Sequence, residues 1–469
     1  MSGLAEVLLA RRIEVSGSDV AESSKTKELR KLGAKITIGH SAKNLAHDTD
    51  LVVFSSAIKG QNNPEIVEAE LRGIRTVRRA DFLGELTRDQ KTIAVAGTHG
   101  KTTTTSMIAH ILIEAGLDPF VSVGARVREL GTKNARAGSG NLALVEADEY
   151  DRSFLALHPF IAVLTTLEIE HLDIYADLSE IQEAFVTFAN QTTDPNEQGY
   201  AIVNIDEESL RNILGKLYKR IVTFGITSAE AKYRATEIQS EGLGTHSIIY
   251  RGADAIGQLS LSIPGSHNIM NALAAIAVAE VLAIPFEISQ KALASFIGAE
   301  RRSEMIGEVN GIFVMDDYAH HPTEVRATLE ALRLGYPGRR IVAAFQPHTF
   351  SRTRDFAKDF GRVFAECSDV LWLLDVYPAR EKSIDGVTSK LILNAAIKCG
   401  MKDCRIVGSL EELPEAMTNR AEAGDIFITL GAGSITDAAS KIFAALKTGV
   451  SDGKISRSDR SHYSREKVA

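Results

Sequence analysis

Cysteine is scarce in this chain: Cys367, Cys399 and Cys404 are the only three in 469 residues. They form no CxxC pair or His cluster, so a disulfide framework and a thiolate metal site are both excluded, and reduced thiols in a cytoplasmic protein are expected. An excess of basic charge is also missing. The net charge of -8 argues against a general nucleic-acid binder, which would show a basic face. No apolar run reaches the roughly 18 residues of a membrane span, and the N-terminus carries no signal-peptide pattern. Aromatics are only 6%, and the one tryptophan, Trp372 in VLWLLDV, is expected in a core. No repeat of about 20 to 50 residues is present, and no stretch rich in Pro or Gly marks a sharp boundary.

The ordinary P-loop pattern is absent too, because Val95 stands where G-x-x-x-x-G-K-[ST] needs its first glycine. Its physics is nevertheless present in VAGTHGKTTTT, Val95 to Thr105. A strand ends at Ala96, Gly97 and Gly100 let backbone N–H groups converge, and Lys101 and Thr102 open a helix whose N-terminus attracts anions. Lys101 would reach outer phosphates and the Thr102 hydroxyl would hold Mg2+. The helix is expected to stop near Gly116, in a left-handed cap.

A chain of 469 residues suggests about two to four domains. Alternating strands (Ile13–Val15, Ile36–Ile38, Leu51–Phe54) and helical stretches such as Pro64 to Gly73 give residues 1–80 a parallel α/β reading. Residues 81–300 begin at the phosphate loop, continue through strands at Leu142–Val145, Ile161–Leu164 and Ala201–Val203, and then turn into an antiparallel meander over Tyr233 to Ile263. Residues 301–447 form a second α/β unit, with strands at Ile312–Met315, Ile341–Phe345, Val370–Leu374 and Ile426–Leu430. The Ser- and charge-rich tail, 448–469, is expected to be disordered.

Strand ends carry the next clues, since α/β proteins place their chemistry there. EADE follows Leu142–Val145 and TTLEIEHLDIY follows Ile161–Leu164. Neighbouring strands would bring Glu146 and His171 towards the loop as candidate ligands of a divalent cation.

GTHGKTT, VEADEYDRSF, EHLDIY, HNIMN, DDYAHHPTE, FQPHTFSRTRDF and VYPAREKSIDGV, in this order over nearly the whole chain, resemble the Mur ligases, and most of all their alanine-adding branch. The resemblance implies a three-domain α/β fold: an N-terminal Rossmann-like sheet for a UDP-sugar, a central P-loop ATPase sheet with a small antiparallel sheet, and a C-terminal Rossmann-like domain that brings the amino acid. It implies ATP on Gly97, Thr98, His99, Gly100, Lys101, Thr102 and Thr103, with adenine at His267, Asn268 and Asn271. Arg301, Arg302 and Asp317 would approach the nucleotide, and Mg2+ would sit on Thr102, Glu146 and His171. Tyr318 and His320 would lie near the reacting groups, His320 being the candidate base, while His348 and Arg352 would hold the alanine carboxylate, a task suited to a guanidinium. In the family a strand and a glycine-rich turn precede the helix that starts at Met1-Ser2-Gly3-Leu4, so the first sheet is expected to lack its first strand. Ser18, Asp19, His40, Ser55 and Ser56 then remain for the sugar nucleotide.

The expected reaction joins L-alanine to the lactyl carboxylate of UDP-N-acetylmuramate through an acyl phosphate, consuming ATP in peptidoglycan precursor synthesis. No lysine lies between His171 and Lys216, so the carbamylated lysine of sister ligases has no candidate. Rival readings are a ligase that recycles a whole tripeptide onto the same sugar, for which FQPHTFSRT is the wrong run, a homologue that binds ATP without ligating, and a P-loop kinase.

Overall fold

The computed structural model describes residues 1–58, 62–169, 174–191, 198–379 and 381–451. They fall into two compact units. The first holds Met1–Ile238, His246–Ser262 and His267–Ala299; the second holds Gln239–Thr245, Ile263–Ser266 and the chain from Glu300 onward.

The first unit opens with α1 (Ser2–Ala10), β1 (Ser16–Asp19), α2 (Ser24–Lys31), β2 (Lys35–Ile38), β3 (Leu51–Phe54), α3 (Pro64–Leu71), β4 (Arg75–Arg78) and α4 (Arg79–Leu86). β1 runs parallel to β2 and β3 parallel to β4, as two separate two-stranded sheets. Local chemistry sets the helix starts. Ser23 accepts from the Thr26 N–H in a capping box, and Asn63 accepts from the Glu65 and Ile66 N–H groups just before Pro64. The strand expected at Ile13–Val15 begins instead at Ser16. Arg12 is left-handed, φ 62°, and the Ile13 N–H still bonds the Leu8 carbonyl at 2.9 Å, so the apolar triplet is spent on leaving α1.

Next come β5 (Lys91–Ala96), α5 (Lys101–Glu114), β6 (Phe120–Val127), β7 (Lys133–Arg136), β8 (Leu142–Glu146), β9 (Ile161–Leu164), α6 (Leu178–Asn190), β10 (Tyr200–Asn204), α7 (Glu208–Arg211), β11 (Arg220–Gly225), β12 (Tyr233–Glu241), β13 (Gly244–Arg251), β14 (Asp254–Leu261), α8 (Ser266–Val281) and α9 (Phe286–Ser295). One ten-stranded sheet orders them β14-β13-β12-β11-β10-β9-β5-β8-β6-β7. Its centre, β9-β5-β8, is parallel, and Ile93–Ala96, Leu142–Val145 and Ile161–Leu164 are buried apolar runs there. The two-residue links Gly242-Leu243 and Gly252-Ala253, with φ 58° and 63° at the glycines, can join only antiparallel neighbours. β12 pairs with β11 through Phe224↔Tyr233, so these strands continue the edge of the main sheet. Gly116, at φ 77°, ends α5 as expected.

The second unit contains β15 (Glu304–Val309), β16 (Ile312–Asp317), α10 (Pro322–Gly335), β17 (Ile341–Phe345), α11 (Phe350–Cys367), β18 (Val370–Leu373), α12 (Lys390–Lys398), β19 (Cys404–Ile406), α13 (Leu413–Thr418), β20 (Ile426–Leu430) and α14 (Thr436–Ser451). The six-stranded sheet is ordered β15-β16-β20-β17-β18-β19, and β15 alone is antiparallel. Trp372 is buried in one of its cores. The tail expected from residue 448 is helical to Ser451; 452–469 lie outside the described residues.

Candidate functional site

The ladder levels β5, β8 and β9 so that Val95 lies opposite both Glu146 and Val163, and Ala96 opposite Leu164. Val95 is thus a fully buried strand residue, and the phosphate loop begins after it. Gly97 has φ 144°, and a Cβ there would overlap Thr165 Oγ1 and lie 2.8 Å from the Thr166 nitrogen. Glycine is obligatory at 97 and not at 95. The segment after β9 braces the loop: Thr98 N–H bonds Thr166 O at 3.1 Å, His99 N–H bonds Thr166 Oγ1 at 2.7 Å, and Thr165 Oγ1 donates to His99 O at 2.5 Å. Thr98 Oγ1 accepts from the Glu168 N–H at 2.9 Å, and Glu168 also lies 3.6 Å from His99 Nε2. The sequence gives no sign of this role for Thr165 and Thr166, since a TT dipeptide after a strand carries no pattern of its own.

Gly100, at φ 81°, caps α5, and Thr103 is buried in its first turn. Lys101 Nζ donates to Gly97 O at 2.6 Å and to Glu149 Oε1 and Oε2 at 2.8 and 2.9 Å, with Thr98 O at 3.3 Å. Burial acts to lower the Lys101 pKa, but the Glu149 and Asp148 carboxylates outweigh it and raise it, so the ammonium is charged. Glu149, the second glutamate of EADE, is the main residue that sequence reasoning missed. It is 4% exposed, and its carbonyl takes the Tyr175 hydroxyl at 2.7 Å.

Thr102 Oγ1 donates to Glu146 Oε1 at 2.9 Å, and Gly124 N–H donates to Glu146 Oε2 at 2.6 Å. A hydroxyl and a carboxylate oxygen at this separation suit neighbouring positions on an octahedral Mg2+, which holds oxygen ligands at about 2.0 to 2.1 Å. The residues present fit the ion; His171 lies outside the described residues. On α8, Asn268 and Asn271 are buried, and Asn271 Oδ1 accepts from Thr104 Oγ1 at 3.2 Å while its Nδ2 donates to Asn268 Oδ1 at 3.2 Å. A Cβ on Gly100 would meet Asn271 Oδ1 at 2.5 Å. HNIMN therefore packs its last asparagine on the loop, with His267 half-buried one residue before the pair.

Near the N-terminus, Ser18 Oγ donates to Glu65 Oε2 at 2.6 Å and lies 2.8 Å from His40 Nδ1. Glu65, unnoticed in the sequence, also accepts from Ser41 N–H at 3.2 Å and Asn44 Nδ2 at 2.7 Å. Asp19 is exposed beside them. Ser55 and Ser56 lie in the turn after β3, where Ser55 Oγ accepts from Ala57 N–H at 3.2 Å. Ser56 lines a cleft of about 210 Å³ with Arg78, Arg79, Asp151 and Arg152. Asp151 and Arg152 are both left-handed there, at φ 53° and 55°.

In the second unit the register Asp317↔Leu430↔Phe345 levels the ends of β16, β20 and β17, so DYAHH, GAGS and QPHT emerge at one sheet edge. The Asp317 carboxylate is buried and takes Ser303 N–H at 2.6 Å and Ala319 N–H at 2.7 Å. Burial pushes its pKa up, against the pull of Arg302 and of those N–H groups. Arg301 pairs with Asp316 at 3.2 Å, and both Arg301 and Arg302 lie over the Tyr318 ring, 4.8 and 5.3 Å from its centre. His320 Nδ1 is 2.9 Å from Tyr318 O; a carbonyl only accepts, so Nδ1 carries the proton and Nε2 is the basic nitrogen. The His320 and His348 rings are 5.5 Å apart, and Arg352 Nη1 donates to His348 Nδ1 at 3.2 Å, which leaves the His348 proton on Nε2. The N-terminus of α11 is occupied by Glu381, which takes Ser351 N–H at 2.9 Å and the Ser351 hydroxyl.

Three family models match in sequence: Mur ligase family, catalytic domain, over residues 1–91; Mur ligase middle domain over 95–279; and Mur ligase, glutamate ligase domain, over 301–433. The chain is 45% identical to the UDP-N-acetylmuramate--L-alanine ligase of Geobacter sp. (strain M21) over 447 residues, 95% of either chain. It is also 45% identical to the enzyme of that name from Sorangium cellulosum, over 93% of this chain and 92% of the relative. Among solved structures it resembles the UDP-N-acetylmuramate-alanine ligase of Thermotoga maritima, with TM-score 0.81 and 27% identity over 96% of this chain and 97% of that one. The murein peptide ligase of Psychrobacter arcticus follows with TM-score 0.68 and 26% identity, covering 95% and 96%.

Proposed function

The chain belongs to the Mur ligase family, and on that premise we propose that it joins L-alanine to the lactyl carboxylate of UDP-N-acetylmuramate, forming ADP and phosphate, in peptidoglycan precursor synthesis. The observation that carries the ATP-driven half is the loop itself, with Lys101, Thr102 and Glu146 converging at the ends of β5 and β8. Residues 1–80 would take the sugar nucleotide, 81–300 ATP and 301–447 the amino acid. The work would be done in the cytoplasm, where ATP and the sugar nucleotide are made. No described helix is long and apolar enough to cross a membrane.

A carboxylate is a poor acyl donor, so the first step moves the γ-phosphoryl group onto the lactyl carboxylate. Lys101 and the N–H groups at the start of α5, from Gly100 to Thr103, neutralise the charge that spreads over the phosphoryl oxygens. Mg2+, held by Thr102 and Glu146, would supply further charge neutralisation on the phosphates. The alanine amine then attacks the acyl phosphate, its proton passes to a base, and inorganic phosphate leaves. His320 Nε2 is the proposed base, oriented by the Nδ1–H bond to Tyr318 O. Arg352 and His348 Nε2–H would hold the alanine carboxylate. On the sugar side, Ser18, His40 and Ser56 would contact the UDP-sugar, and Arg79 and Arg152 would attract its anionic groups into the cleft. The deciding experiment supplies the chain with ATP, Mg2+, UDP-N-acetylmuramate and L-alanine, follows ADP release, and weighs the product. An amide heavier than the sugar nucleotide by one alanyl residue supports the reading; a phosphate ester or no coupled product refutes it.

A further inference from the structure

Lys101 has three N–H bonds to give and four acceptors around it: Gly97 O, Thr98 O and both Glu149 oxygens. A nucleotide phosphate can bind this ammonium only if one acceptor withdraws. The two carbonyls are fixed, since the loop that carries them is tied down by Thr165 and Thr166. Glu149 is held differently. Its carbonyl is pinned by the Tyr175 hydroxyl at 2.7 Å and by the Arg152 N–H at 3.1 Å, while its carboxylate is the end of a side chain with its own rotamers. Among these acceptors it alone supplies the charge of a phosphate, and it meets the ammonium with two oxygens in a buried setting.

We propose that Glu149 is a positioning residue, an internal anion that holds Lys101 in the closed loop until the outer phosphate of ATP takes its place. The proposal rests on the ligase reading only in so far as ATP binds at this loop. Nucleotide capture is then an exchange of anions on one ammonium. It keeps a buried lysine paired at every stage, which an empty loop without Glu149 would not. The closed arrangement lowers apparent ATP affinity by the fraction of molecules that are latched. It bears on ligands with outer phosphates and not on those that stop short of Lys101.

The test is calorimetric titration of the full chain with MgATP and with AMP, for the wild type, Glu149→Gln and Tyr175→Phe. Glu149→Gln keeps the size and the acceptor oxygen but drops the charge, and is expected to tighten MgATP about threefold to thirtyfold with AMP within about twofold. Tyr175→Phe loosens the latch from behind and is expected to move MgATP the same way by a smaller factor; it decides the matter if Glu149→Gln does not fold. A purely structural role for the pair would weaken both nucleotides or leave both alone. MgATP binding unchanged or weakened in the folded variants, or both nucleotides tightened equally, overturns the latch. A wild type that binds neither nucleotide overturns the reading of the loop on which it rests.

Discussion

Thr102 Oγ1 stands 2.9 Å from Glu146 Oε1, joining the first turn of α5 to the last residue of β8. The contact exists because Val95 and Glu146 are partners in the ladder, which sets the end of β8 level with the strand that launches the loop. Oxygen thereby faces oxygen where a cation would bridge protein to phosphate.

Glu146→Gln is accordingly expected to raise the Mg2+ concentration needed for half-maximal ADP release by about 10- to 100-fold, and to depress turnover even at saturating Mg2+. Thr102→Ala should act in the same direction. Mg2+ titrations of ADP release check both, and an unchanged Mg2+ requirement in Glu146→Gln removes it from the ion.

The two glycine-like positions of the loop should separate cleanly. Gly97→Ala puts a Cβ into Thr165 Oγ1 at φ 144° and is expected to abolish measurable nucleotide binding. Val95→Gly restores the usual P-loop spelling, yet Val95 is a buried strand residue, so it should cost about 2 to 4 kcal/mol of stability and leave nucleotide affinity near the wild-type value. Paired denaturation and binding curves decide; better binding in Val95→Gly would contradict the register.

Much of this was legible in the sequence, and the reason differs by element. β9 falls at Ile161–Leu164 and β17 at Ile341–Phe345, as their unbroken apolar runs suggest, because buried parallel strands need no alternation. β1 lies beyond the apolar triplet Ile13–Val15 because SGSD, though polar, owes its strand to pairing with Lys35–Ile38, a tertiary cause that no local pattern carries. Within the site, Lys101, Thr102 and Glu146 follow from motif chemistry. Glu149 and Glu65 do not, since each gains its role from a partner 48 or 47 residues away. Glu381 at the start of α11 is of the same kind.

His320 and Arg352 should divide the kinetics between them. Loss of the base in His320→Ala is expected to lower kcat about 10²- to 10⁴-fold with little change in ATP affinity. Arg352→Ala should chiefly raise KM for alanine, since it removes a carboxylate partner and not a proton acceptor. Glycine and serine should serve as slow substitutes, as a methyl-sized pocket discriminates by only about 1 to 3 kcal/mol. Steady-state kinetics with each substrate varied in turn would show the split, and a large amino acid used as fast as alanine would refute the small pocket.

Lys219 provides a stability test that is independent of catalysis. It is 7% exposed just before β11, donates to Pro159 O, and burial lowers its pKa from 10.5 to about 8. Between those values the unfolded chain binds a proton that the folded chain does not, so stability should rise with pH from about 8 to 10.5. Below pH 8 the ammonium is charged in both states, and the burial cost, about 3 kcal/mol from 1.36 kcal/mol per unit, is constant. Lys219→Met removes this titration but leaves Pro159 O without its donor, which offsets part of the gain at neutral pH. The expected outcome is therefore a change of slope: urea unfolding from pH 7.5 to 10.5 should show wild-type stability rising relative to Lys219→Met. Parallel curves would mean that Lys219 stays charged in the fold throughout that range.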